Sequence, residues 1–121
     1  MSSDEQLKKA FQELQLKMIE SKQKLQQGEV QSDLCKAQKK KAELTKVELQ
    51  KLDPETPTFL SLGRMFVKRT IAESVAEQER TIEEADKTIA GILKQKQYLE
   101  KSLKEAEGNL REMVSHRQAA R

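Results

Sequence analysis

The stretch that decides the fold is Asp53-Pro54-Glu55-Thr56-Pro57-Thr58-Phe59-Leu60-Ser61-Leu62-Gly63-Arg64-Met65-Phe66-Val67-Lys68-Arg69-Thr70. Asp53-Pro54 ends any helix arriving from the N-terminal side, because Pro54 has no amide hydrogen, and Pro57 repeats the interruption. Two short runs rich in aromatic and β-branched residues then flank Gly63-Arg64. Glycine at the first central position of a two-residue loop suits a type II′ turn, so Thr58–Leu62 and Met65–Thr70 read as a β-hairpin. Thr70, three residues before Glu73, has the spacing of a helix cap.

The sequence on both sides of this stretch is helical in character. Downstream, Ile71, Val75, Gln78, Ile82, Ala85, Ile89, Ile92, Lys96, Leu99, Leu103, Ala106, Leu110, Met113 and Arg117 follow a 4-3 spacing. Eleven of these fourteen are apolar, which marks a coiled-coil seam sustained over nearly seven heptads. Glu100 and Lys104, four apart, support the exposed face. Upstream, Ser3 and Gln6 have capping-box spacing, and Asp4 and Glu5 oppose the helix dipole. Leu7, Phe11, Leu14 and Met18 begin a seam, Ser21 interrupts it and Leu25 resumes it. Beyond Gly28 the apolar positions are Val30, Leu34, Ala37 and Leu44 with Lys41 intruding, so the seam is expected to drift around the helix or to weaken there. Thr45 and Glu48 offer a further capping spacing at which a short helix could restart.

The expected architecture is mainly α: one domain over 1–121, with a first helical arm over about 4–52, a linker and hairpin over 53–70, and a second arm over 71–118. The arms are nearly matched, each roughly 70 Å long at 1.5 Å per residue, which predicts an antiparallel coiled-coil hairpin with the β-hairpin at the bend. The far tip would then pair the region of Leu7, Phe11 and Leu14 with that of Leu110, Met113 and Val114. Gly91 and Gly108 lie inside the second arm at a cost in helix propensity. A lone two-stranded hairpin is marginal in water and leaves both edges unpaired. Its apolar residues Phe59, Leu60, Leu62, Met65, Phe66 and Val67 cannot all be covered by the helices. Hairpins from several chains are therefore expected to form a common β-structure.

Composition excludes other classes. Charged residues make up 36% of the chain and aromatics 3%, with no Trp, so there is little material for a wide globular core. The net charge of +3 arises from 23 basic and 20 acidic residues interspersed along the chain, too small a surplus to argue for nucleic acid. Lys36 and Lys39-Lys40-Lys41 read as a solvated face, since the prolines and the hairpin interrupt the continuous basic zipper that a DNA reader of this kind needs. The single cysteine, Cys35, excludes an intrachain disulfide and reads as a half-buried helix residue. One histidine, His116, and carboxylates scattered on helix faces make no convergent catalytic set, metal site or cofactor site. No apolar run approaches the roughly 18 residues that span a bilayer, and the start Met1-Ser2-Ser3-Asp4-Glu5 is acidic where a signal peptide is basic. A cytosolic or nuclear location is expected, without membrane contact.

Leu7-Lys8-Lys9-Ala10-Phe11-Gln12-Glu13-Leu14-Gln15, the turn Gly63-Arg64-Met65-Phe66, and Tyr98-Leu99-Glu100-Lys101-Ser102-Leu103-Lys104-Glu105-Ala106-Glu107 followed by Leu110-Arg111-Glu112-Met113 resemble the prefoldin family. The order helix, Pro-containing linker, hairpin, helix is the more specific part of that resemblance. It implies a β-type subunit, since the linker has room for one hairpin. It further implies a hexamer of two α-type and four β-type subunits, whose hairpins form a β-barrel body bearing coiled-coil arms. The arms would hold unfolded chains, notably actin and tubulin, for delivery to the cytosolic chaperonin without ATP. Carried over by position, Phe59, Leu60, Leu62, Gly63, Met65, Phe66 and Val67 would serve assembly. Leu7, Phe11, Leu14, Leu110, Met113 and Val114 would form the client-facing tip. A coiled-coil adaptor that assembles but handles no client is the alternative.

Overall fold

A computed structural model describes residues 3–119. The order is α1 (Ser3–Gln50), β1 (Thr58–Leu62), β2 (Met65–Arg69) and α2 (Ile71–Ala119), so both helices and the hairpin stand where the sequence predicts them. The cap expected at Ser3 depends on a side chain that lies outside the described residues. Asp4 and Glu5 occupy the first turn of α1, the favourable place for carboxylates.

The end of α1 is built by tightening and then by turn chemistry. The amides of Lys51 and Leu52 donate to the carbonyls of Glu48 and Leu49, at 3.3 and 3.2 Å, as three-residue closures. Asp53 then accepts twice: its Oδ1 from the Glu55 amide and its carbonyl from the Thr56 amide, both at 2.9 Å. With Asp first and Pro54 second, this is the residue order a tight turn favours. The helix therefore stops at Gln50, two residues short of the expected limit.

The start of α2 is capped as expected. Thr70 Oγ1 accepts from the Glu73 amide at 3.1 Å, and the Thr70 carbonyl accepts from the Ser74 amide at 3.0 Å. Thr45 does not act as a cap. Its hydroxyl donates to the Lys41 carbonyl one turn back, at 2.8 Å, and α1 runs through this point unbroken.

The chain divides into two compact units, Met1–Val30 with Ile92–Arg121, and Gln31–Gly91. In the first, α1 and α2 segments run antiparallel: Asp4 is ion-paired with Arg117, and Gly28 lies against Ile92. The covered positions of α1 there include Leu7, Leu14, Met18, Ser21 and Leu25, as the seam reading expects, whereas Phe11, placed in the same seam, is exposed.

The second unit corrects that reading. The seam does not drift beyond Gly28. Ser32, Cys35, Lys39, Ala42, Lys46 and Leu49 continue the same 4-3 spacing and are covered, whereas Val30, Leu34, Ala37 and Leu44 are exposed. Lysine fits a seam position when its methylene stem lies along the helix pair and its ammonium reaches a carboxylate at the edge. Lys39 pairs with Asp86 at 2.7 Å and Lys46 with Glu79 at 3.1 Å, which also sets α1 and α2 antiparallel in this unit. On α2 the predicted seam is covered at nearly every position, with Ile71, Ala85 and Leu110 buried; Lys96 and Met113 are exposed.

Candidate functional site

Two regions carry the predicted site residues: the hairpin, and the α1 and α2 segments of the first unit near Leu14 and Leu110.

Gly63 has φ of 59° and no described residue other than glycine has positive φ, so the loop is the type II′ turn that the Gly63-Arg64 order predicts. The register Thr58↔Arg69, Phe59↔Lys68, Leu60↔Val67, Ser61↔Phe66 and Leu62↔Met65 then follows. Alternation puts Thr58, Leu60, Leu62, Met65, Val67 and Arg69 on one face, and Phe59, Ser61, Phe66 and Lys68 on the other.

The first face is anchored at its base. Thr58 Oγ1 donates to the Arg69 carbonyl and lies 3.3 Å from Ser74 Oγ, while the Arg69 guanidinium is ion-paired with Glu77 of α2. Leu60 is half-buried; Leu62, Met65 and Val67, nearer the turn, are exposed. The second face has no such support: Phe59 is 61% and Phe66 73% exposed. Both strands are edges of a two-stranded sheet, so each presents unpaired backbone groups.

In the first unit, Ala10, Glu13, Leu14 and Lys17 of α1 face Ala106, Asn109, Leu110 and Met113 of α2 across a cleft of about 240 Å³. The six expected tip residues separate into two kinds. Leu7, Leu14 and Val114 are half-buried and Leu110 is buried, so they hold the helices together. Phe11 at 49% and Met113 at 41% present much of their surface to water. Glu13, Lys17 and Asn109 were not legible as cleft residues because they flank the seam rather than lie in it.

Among the described residues no group of three or more His, Cys, Asp or Glu side chains could hold a metal ion, and His116 is exposed. Cys35 is half-buried, as expected. No described helix is long and apolar enough to cross a membrane.

A model of the prefoldin subunit family matches residues 12–117. The chain belongs to the prefoldin family. It is similar over nearly all of its length to prefoldin subunit 1 of Bos taurus, with 41% identity over 119 residues, 96% of this chain and 95% of that one. Prefoldin subunit 1 of Homo sapiens is 40% identical over the same shares. Prefoldin subunit 1 of Arabidopsis thaliana is 38% identical over 93% of this chain and 88% of its own. Among solved structures, the prefoldin beta subunit from Thermococcus strain KS-1 matches with a TM-score of 0.71, covering 88% of this chain and 90% of its own at 21% identity. The prefoldin fold with a single hairpin is thus the fold the sequence resemblance implied.

Proposed function

We propose that this prefoldin-family chain is a β-type subunit of an ATP-independent co-chaperone. Its hairpin joins those of other subunits in a β-barrel body, within a hexamer of two α-type and four β-type chains. The helical arms hold unfolded polypeptides such as actin and tubulin in the cytosol and pass them to the chaperonin. Catalysis has no part in this reading.

The observation that carries it is the bare face of the hairpin. Phe59 and Phe66 are exposed on a sheet with two open edges; joining further strands satisfies the backbone groups, and closing those strands into a barrel with this face inward buries both rings. Capture of clients falls to the first unit. Of the six expected tip residues, Phe11 and Met113 are the two exposed there, and Met adapts its shape to varied apolar partners.

The adaptor reading has one observation in its favour: Leu7, Leu14, Leu110 and Val114 are spent on holding the helix pair. An aggregation assay separates the two. Denatured actin is diluted into the chain assembled with an α-type prefoldin subunit, and turbidity is followed. Suppression by wild type that Phe11→Ser with Met113→Ser weakens, at unchanged assembly mass, is the expected result. An assembly of full mass that leaves aggregation untouched would establish the adaptor instead.

A further inference from the structure

In the unit Gln31–Gly91, α1 carries apolar side chains among charged ones on the side turned away from its seam. The seam there runs through Ser32, Cys35, Lys39, Ala42, Lys46 and Leu49. Leu34, Ala37, Leu44 and Val47 fall outside it and are all exposed, Leu34 at 61% and Leu44 at 59%. Outward positions of a helix pair are ordinarily polar. The α2 stretch of the same unit obeys that rule, with no large hydrophobic residue exposed between 71 and 91.

The charge on this face is mixed with a basic surplus: Asp33 and Glu48 share it with Lys40, Lys41 and Lys51, and Glu48 is paired with Lys51. Ion pairs engage Lys39 with Asp86 and Glu43, Lys46 with Glu79, and Lys51 with Glu48. Among the described residues no carboxylate pairs with the exposed side chains of Lys36, Lys40 or Lys41. Lys40 and Lys41 sit three and four residues from Ala37, and four and three from Leu44, so they lie within the apolar stripe.

We propose that this face of α1 is a docking surface for an acidic amphipathic helix of a partner protein. The partner's apolar residues, at helical spacing, meet Leu34, Ala37, Leu44 and Val47, and its carboxylates meet Lys36, Lys40 and Lys41. Apolar burial supplies the affinity, and the free ammoniums select the sign of the partner. Nucleic acid would satisfy the lysines through phosphate but leave the leucines against water, so a protein helix fits the whole stripe better. The residues are distinct from those of the hairpin and the cleft, and the inference does not rest on either.

The test is fluorescence anisotropy with the full-length chain and three labelled probes at physiological salt. One is a synthetic amphipathic helix with Leu and Ala on one face and Glu beside it; the second has Lys in place of every Glu; the third is a DNA duplex. The acidic peptide is expected to bind, and Leu34→Gln with Leu44→Gln to weaken it about tenfold or more. Lys40→Gln with Lys41→Gln weakens it too and flattens its salt dependence. The basic peptide and the duplex bind about tenfold more weakly than the acidic one or not at all. All four substituted side chains are exposed, and unchanged helical circular dichroism verifies that the fold is kept. Failure of the acidic peptide to bind, indifference to either double variant, or preference for the duplex through the lysines alone would each overturn the proposal.

Discussion

Gly28 of α1 lies against Ile92 of α2: a Cβ at Gly28 would stand 3.3 Å from Ile92 Cγ2, closer than ordinary contact. A glycine inside a helix costs about 1 kcal/mol relative to alanine, and at this position the close approach gives it a reason. Gly91 and Gly108 have none, since a Cβ at either meets nothing within 4 Å. Thermal unfolding separates the cases. Gly91→Ala and Gly108→Ala are each expected to stabilise by roughly 0.5–1 kcal/mol. Gly28→Ala gains less or nothing, and Gly28→Leu destabilises by about 1–3 kcal/mol through overpacking.

The hairpin turn depends on one backbone angle. With φ of 59°, Gly63 occupies a conformation that residues with a Cβ adopt at a cost of about 1–3 kcal/mol. Gly63→Ala therefore lowers the stability of the hairpin by about that amount, read as weaker amide protection across β1 and β2 in hydrogen exchange. Equal protection in variant and wild type would contradict the turn assignment.

Lys39 gives α1 a pH-dependent link to α2. Its Nζ donates to Asp86 Oδ1, and this bond, with the charges of Asp86 and Glu43, raises its pKa above the ordinary 10.5. A lysine raised in the folded chain adds stability that is fully present below 10.5 and disappears as pH rises through the folded value. Asp86→Asn should therefore lower the melting temperature slightly at neutral pH. The two melting curves draw together at strongly alkaline pH. The Lys39 side chain is 34% and that of Asp86 52% exposed to solvent, so the effect is small and weakens with salt.

How far the sequence could be read depended on whether the deciding chemistry was local. The turn at Gly63-Arg64, the cap at Thr70 and the stop at Asp53-Pro54 each depend on neighbours a few residues apart, and all three were legible. The seam of α2 was legible because Ile, Val, Leu and Ala mark it nearly throughout. The seam of α1 beyond Gly28 was not, because Ser32, Cys35, Lys39 and Lys46 occupy it while Leu34 and Leu44 face outward. A reading that follows large apolar residues is drawn to the wrong face there. Asp86 and Glu79, the carboxylates that accommodate Lys39 and Lys46, lie more than thirty residues away in the sequence. Likewise, Phe11 and Leu14 read alike as seam residues, and only their packing shows that Phe11 is presented and Leu14 covered.

Assembly through the bare hairpin face is best tested by the mass of the purified chain in light scattering. The chain is measured alone and mixed with an α-type prefoldin subunit, as wild type and as Phe66→Asp. Phe66 is 73% exposed, so the substitution places a charge on the assembling face without entering the interior of the subunit. A hetero-oligomer of wild type with the α-type subunit, lost in Phe66→Asp while helical content is kept, is the predicted result. A wild-type chain that remains monomeric in the mixture, or a Phe66→Asp variant that assembles as well as wild type, would contradict it.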